Sequence, residues 1–314
     1  MPISLPASRR IPLNPATRCG RKSTTSNASK PADCQRRLLF IAHLGDSAVI
    51  VFDTQTQRVV RRIPDISKVH GVLVIPELGR VHASATGTNE LVAIDEDRLT
   101  VVARAPGGVY PDGMAYVPDL HKLYVSDEDG ATDTVIDVRT NQRVATIPLG
   151  GEVGNTQYDP ASKHVFANVQ TRSQLVEIDP GTDKVIARIE LPGAKGNHGL
   201  LIVPQQRLAF IACEDNHMLL VLDLASRRVT ASFEVGNDPD VLAYDGNRGW
   251  LYVAGESGVA SMFAVKSADV TKLGEGMLGP YAHVVAVDPA SHRSYFPLKK
   301  LKGRTELRIM RPSP

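Results

Sequence analysis

One pattern constrains this chain more than any other: an apolar-aromatic segment that returns every 42 to 44 residues. It reads LLFIA, RVHAS, KLYVS, HVFAN, LAFIA, WLYVA and RSYFP. Its marker position is Phe40, His82, Tyr124, Phe166, Phe210, Tyr252 and Tyr295, at spacings of 42, 42, 42, 44, 42 and 43. A period of this length means a repeat architecture, in which each unit buries its faces against its neighbours. A second segment follows each of the first five markers and ends in Asp53, Asp95, Asp137, Asp179 and Asp223. An aspartate there leads a turn, because its carboxylate accepts hydrogen bonds from backbone N–H groups two residues on.

Two further segments complete the unit. RVVRRI, TVVARA, RVATIP, KVIARI and RVTASF follow the aspartates; HGVLVIP, DGMAYVP, NTQYDP, HGLLIVP, DVLAYD and HVVAVDP precede the aromatic segments. All are short, rich in Val, Ile and Tyr, and bounded by Gly, Pro, Asp or Asn, which is the signature of antiparallel strands. Helical periodicity is absent. Four strands per unit and seven units predict an all-β, seven-bladed β-propeller with four-stranded antiparallel blades. Blade one should be incomplete. By the repeat, its inner strand falls on residues 28–32, Ala-Ser-Lys-Pro-Ala, which offers no large apolar side chain.

The motif KLYVSDEDGATDTVIDVRTNQRVATI, residues 122–147, resembles the repeat of the YVTN-repeat, YncE-like propeller family. The resemblance runs over about residues 33–314. It implies the propeller fold and a repeat protein whose function the family does not specify, and members of the family are often exported behind a signal sequence; a binding or scaffold module using one channel mouth is the expected role. No apolar signal core is visible at the N-terminus, so a cytoplasmic location is the default expectation.

Residues 1–37 hold eight basic side chains against the single acid Asp33, so the remainder of the chain is mildly acidic. That balance argues against nucleic acid, whose phosphates are bound by Lys and Arg. No stretch reaches the roughly 18–20 apolar residues of a membrane helix. Residues 1–30 read as a disordered basic tail, with Pro2, Pro6, Pro12 and Pro15 breaking any amphipathic helix, and residues 31–314 as the propeller. Three cysteines without a C-x-x-C indicate neither a disulfide framework nor a zinc cluster.

The candidate site lies where each inner strand begins. That position is His70, Asp112, Gly154, His198, Asp240 and His283, spaced 42, 42, 44, 42 and 43, with Asn155 standing beside Gly154. Equivalent positions in a propeller surround one axis, so His70, Asp112, Asn155, His198, Asp240 and His283 should share one mouth of the channel. Two functions remain open: a module binding a small molecule or a protein there, or a metal-dependent lactonase-like hydrolase or lyase acting on a small cyclic ester. His with Asp suits one divalent ion such as Zn²⁺ or Mn²⁺. From adjacent blades, His198, Asp240 and His283 form the expected ligand trio, with Asp112 and His70 across the ring. Gluconolactonase-type and streptogramin-lyase-type propellers, which hold a metal near the channel mouth, are similar in architecture. Polar residues nearby, Asp127, Glu128, Asp129, Glu214, Asp215, Asn216 and His217, are candidates to widen the site.

Overall fold

The structure, a computed structural model, describes residues 9–12, 38–301 and 304–312. Among these, 27 strands fall into seven antiparallel sheets, and the only helix is four single 3-10 turns. Blade two is representative: Val69–Ile75 inside, then Arg80–Ala85, Glu90–Asp95 and, outermost, Thr100–Pro106. Blades three to six repeat this order. The seven-bladed all-β expectation therefore holds.

The leading aspartates act as their spacing implied. Asp53 accepts from the N–H groups of Gln55 and Thr56 at 2.9 and 2.8 Å, and Asp95 from those of Asp97 and Arg98 at 3.1 and 2.8 Å. Each aspartate thus fixes the hairpin that joins the third strand of a blade to its outer strand.

Seven apolar clusters make up the core, and each joins two blades. Phe166 and Leu175 of blade four pack with Ile211 and Leu220 of blade five. Tyr124 and Val135 pack with Val165 and Ala167, and Phe210 and Leu219 with Leu251 and Phe263. The ring is closed where Ile41, Ile50 and Phe52 of blade one meet Tyr295, Leu307 and Ile309 of blade seven. All seven marker residues are buried, His82 included. His82 serves as a neutral ring, since burial, with the Arg80 charge nearby, pushes its pKa down to about 4. Polar struts tie neighbouring blades at the end away from the site: Asp159 pairs with Arg207, Asp245 with His292 at 2.7 Å, and Glu177 with Arg227 at 2.6 Å.

The two terminal blades differ from the rest. Blade one has three described strands, Leu38–His43, Ala48–Asp53 and Arg58–Ile63. The expected inner segment, residues 28–32, lies outside the described residues. Blade seven supplies Ala286–Asp288, Arg293–Leu301 and Arg304–Met310, and Arg9–Pro12 pairs along the last of these, with Arg9 opposite Ile309 and Pro12 opposite Glu306. Within the tail, these four residues form an edge strand, and the rest of residues 1–30 lies outside the described residues. Prolines that forbid a helix do not forbid an edge strand, where a missing donor can face outward.

One polar pair is buried inside this core. Asp127 and Asp133 of blade three are both fully buried. Asp127 accepts from Thr132, Thr134 and the Gly108 N–H at 2.8, 2.7 and 2.9 Å. Asp133 has the Thr156 hydroxyl at 3.2 Å, and burial together with the Asp127 charge pushes its pKa up to about 8. The folded state therefore holds a proton on Asp133 that the unfolded chain releases near the ordinary carboxylate value.

Two predictions follow from this packing. Phe166→Ala should destabilise the fold by about 3–5 kcal/mol in denaturant unfolding, as for other buried large-to-small changes; a loss under ~1 kcal/mol would place the ring in solvent. The raised pKa of Asp133 means that stability from its protonated form is present at low pH and lost as pH rises towards 8. Asp133→Asn, which keeps the neutral shape, should remove that decline and melt higher than the parent at pH 8. Parallel melting curves across pH 5 to pH 9 would contradict the assignment.

Candidate functional site at the channel mouth

Each ring residue of blades two to six sits in a β-bulge. In blade two Val69 pairs with Ala85 and Val72 with Ala83, so His70 and Gly71 oppose the single residue Ser84. The same two-against-one step places Asp112 and Gly113 against Ser126, and Gly154 and Asn155 against Asn168. It places His198 and Gly199 against Ala212, and Asp240 and Val241 against Ala254. A bulge bends its strand and re-aims a side chain. Five equivalent bulges therefore present the ring at one end of the channel.

Side chains from neighbouring strands satisfy the bulged backbone. Ser84 Oγ accepts from the Gly71 N–H at 2.7 Å. Asn168, fully buried, donates through Nδ2 to the carbonyls of His198 and Gly199, at 3.1 Å each, and accepts from Asn197 Nδ2 at 3.1 Å. Successive bulges also nest closely. A Cβ on Gly199 would lie 1.9 Å from the Asp240 carbonyl oxygen, and one on Gly154 would lie 2.6 Å from that of His198. This explains why blade four carries no His or Asp in the ring: the backbone of blade five occupies the space.

Within the ring, His198 is the centre. It is 8% exposed, and its Nε2 lies 3.5 Å from Asp112 and 3.6 Å from Asp240. Its Nδ1 lies 4.0 Å from Glu214. Burial alone would lower its pKa. The ion pair with Asp112 and the charges of Asp240 and Glu214 outweigh that and push it up to about 10. Burial works to raise the Asp112 carboxyl, but His198, with His70 and His283 also in reach, holds it below the ordinary value. Asp240 is raised to about 6 by burial and the carboxylates of Asp112 and Glu256, against the pull of His198.

The remaining ring members are placed around this pair. His70 Nδ1 is 3.1 Å from Thr86 Oγ1, whose hydroxyl donates to the Pro111 carbonyl at 2.8 Å, so Nδ1 carries the proton in that bond. The His70 ring also packs against Tyr110, tilted at 47° with ring centroids 5.4 Å apart. Asn155 reaches towards Gly113, half-buried between blades. His283 differs, because the inner strand of blade seven is short and begins only at Ala286. Its Nδ1 meets Glu256 at 3.1 Å.

The expected ligand trio is therefore not the group that converges. Among the described residues, the atoms lying within 4.8 Å of one another come from His198, Glu214 and Asp240. Asp112, expected across the ring, is in direct ion-pair distance of His198.

A second ring stands sixteen residues after the first: Thr86, Glu128, Gln170, Glu214 and Glu256. Burial is the main cause that pushes both Glu128 and Glu214 up to about 7. Glu256 escaped the reading of the sequence, although it keeps phase with Glu128 and Glu214. Asp127 does not widen the site, since its carboxylate is turned into the blade. Asp129 and Asp215 are exposed, Asn216 caps the Gly193 carbonyl at 2.8 Å, and His217 Nδ1 accepts from the Asp238 N–H at 3.2 Å.

What the mouth offers, then, is a half-buried group of carboxylates, from Asp112, Glu128, Glu214 and Asp240, about the buried imidazolium of His198, with Glu256 paired to His283 beside them. Comparison with known proteins adds the fold and no more. No family model matches the chain, and no curated protein sequence matches it. Among solved structures, it is similar to Kuenenia stuttgartiensis hydrazine synthase, with a TM-score of 0.74, 14% identity, and 88% of this chain and 93% of that one covered. A chain of the mitotic checkpoint complex gives a TM-score of 0.73 at 12% identity, covering 96% of this chain and 100% of that one. A functionally unknown protein from Desulfotomaculum acetoxidans gives 0.73 at 13% identity, covering 88% and 100%. At such identities the likeness establishes a shared seven-bladed propeller.

Proposed function

We propose that this chain is a binding propeller that takes a small, positively charged ligand in its channel mouth. The observation that carries the reading is the excess of carboxylate at a half-buried point. Asp112 and Asp240 flank one buried cation, His198, while Glu128 and Glu214 stand on the same rim and Glu256 is paired with His283. Like charges in a partly desolvated site repel. A cationic ligand relieves that repulsion, and an anionic one adds to it. Tyr110, tilted against His70 and within electrostatic reach of Glu128 and Asp112, offers an aromatic ring of the kind that receives organic cations. We read the protein, on its repeat motif, as a member of the YVTN-repeat, YncE-like propellers, with the channel mouth as its binding surface.

A second reading, a hydrolase or lyase acting on a small cyclic ester, is favoured by one observation. Glu128 and Glu214 both titrate near neutrality, the range in which a carboxyl group serves as general acid or base. His198 is no candidate for the base at neutral pH, because it is already protonated.

A thermal-shift panel separates the readings. Amines, diamines and guanidinium compounds should raise the melting temperature of the parent but not of Asp112→Asn/Asp240→Asn, whereas carboxylates and phosphates should leave both unchanged. Stabilisation by anions alone would overturn the proposal. Turnover of cyclic esters, lost in Glu214→Gln, would move the assignment to the hydrolase.

A further inference from the structure

The geometry points to a divalent-cation site formed by His198, Asp240 and Glu214. It rests on the reading of the mouth as a cation receptor and names the cation. One imidazole and two carboxylates, each offering one atom, bring those atoms within 4.8 Å of one another. In the metal-free protein His198 carries a proton between these carboxylates; the divalent ion takes that proton's place, and the proton leaves to solvent as the ion binds. A nitrogen and two oxygens make a donor set for ions of the Mn²⁺ or Zn²⁺ class, and three protein ligands leave positions for water or a further ligand.

Two features mark this as a built site rather than a chance gathering of acids. First, the imidazole is buried and pinned. Its residue sits in a bulge whose carbonyls accept from Asn168 Nδ2, and Asn168 is itself held by Asn197, whose Nδ2 also donates to the Gln174 carbonyl at 3.0 Å. A ligand held this way needs little reorganisation to meet an ion. Second, Asp112 stands 3.5 Å from the same imidazole without belonging to the trio, and so adds negative charge beside the ion.

The test uses the full chain, freed of metal by chelation, and the ion alone as probe. Mn²⁺ should bind at one ion per chain, measured by equilibrium dialysis and by the loss of the free-ion electron paramagnetic resonance signal. His198→Gln, which keeps a polar side chain, and Glu214→Gln, which keeps the shape, each shown to be folded by circular dichroism, should each weaken binding at least tenfold. Arg172→Gln, on the exposed turn beside Gln170, should not. Undiminished binding in both His198→Gln and Glu214→Gln, or no binding by the parent, overturns the site. Organic cations serve as the second arm. If they stabilise the parent while Mn²⁺ does not bind, the metal assignment fails and the cation-receptor reading stands; if neither binds, both fail. Should either variant not fold, Asp240→Asn read with the remaining variant decides the matter by the same tenfold criterion.

Discussion

The site depends on one backbone device, the two-against-one bulge at the start of the inner strand. A regular strand would send alternate side chains into the two neighbouring inter-blade layers, leaving the first residue no reason to face the axis. The extra residue breaks that alternation and turns the first side chain towards the channel. In blades two to six the bulge recurs at the same register. In blade seven the inner strand is short, and His283 turns to Glu256 instead of the central group. Where the device is present, the residue joins the group or its near surroundings; where it is missing, the residue goes elsewhere.

Around that device the rest of the molecule serves as a frame. Seven inter-blade clusters set the distance between neighbouring inner strands, and the nesting of Gly199 on Asp240 and Gly154 on His198 shows how small that distance is at the axis. Such closeness brings Asp112 of blade three and Asp240 of blade six to one nitrogen of His198 in blade five. Two carboxylates at a single buried imidazole hold it charged; Glu128 and Glu214 beside them bring more carboxylate than that one imidazolium offsets. A mouth with this balance selects by charge before it selects by shape.

Much of the fold was legible because a propeller writes itself as a period. Phe40, Tyr124 and Phe210 had to be buried once their spacing was seen, and they are. The ring could be read from the same phase, and so could Glu256, which keeps step sixteen residues after Asp240. The grouping within the ring could not be read. Whether His283 or Glu214 meets His198 depends on a strand that shortens in blade seven and on a side chain reaching over from the end of the next strand. Neither leaves a mark in residue type. Arg9–Pro12 was hidden for a different reason. An edge strand of four residues paired with one from the far end of the chain has no local pattern of its own, and its proline pointed the other way.

The central claim is that Asp112 and Asp240 fix a positive charge on His198 at the channel mouth. The ring-nitrogen chemical shifts of His198, followed by NMR from pH 5 to pH 10 in protein labelled at histidine, test it most directly. The account predicts an imidazolium throughout the neutral range, with the midpoint far above the ordinary histidine value of 6.5 and falling towards it in Asp112→Asn. A His198 midpoint near 6.5 in the parent, unmoved by that substitution, would contradict it.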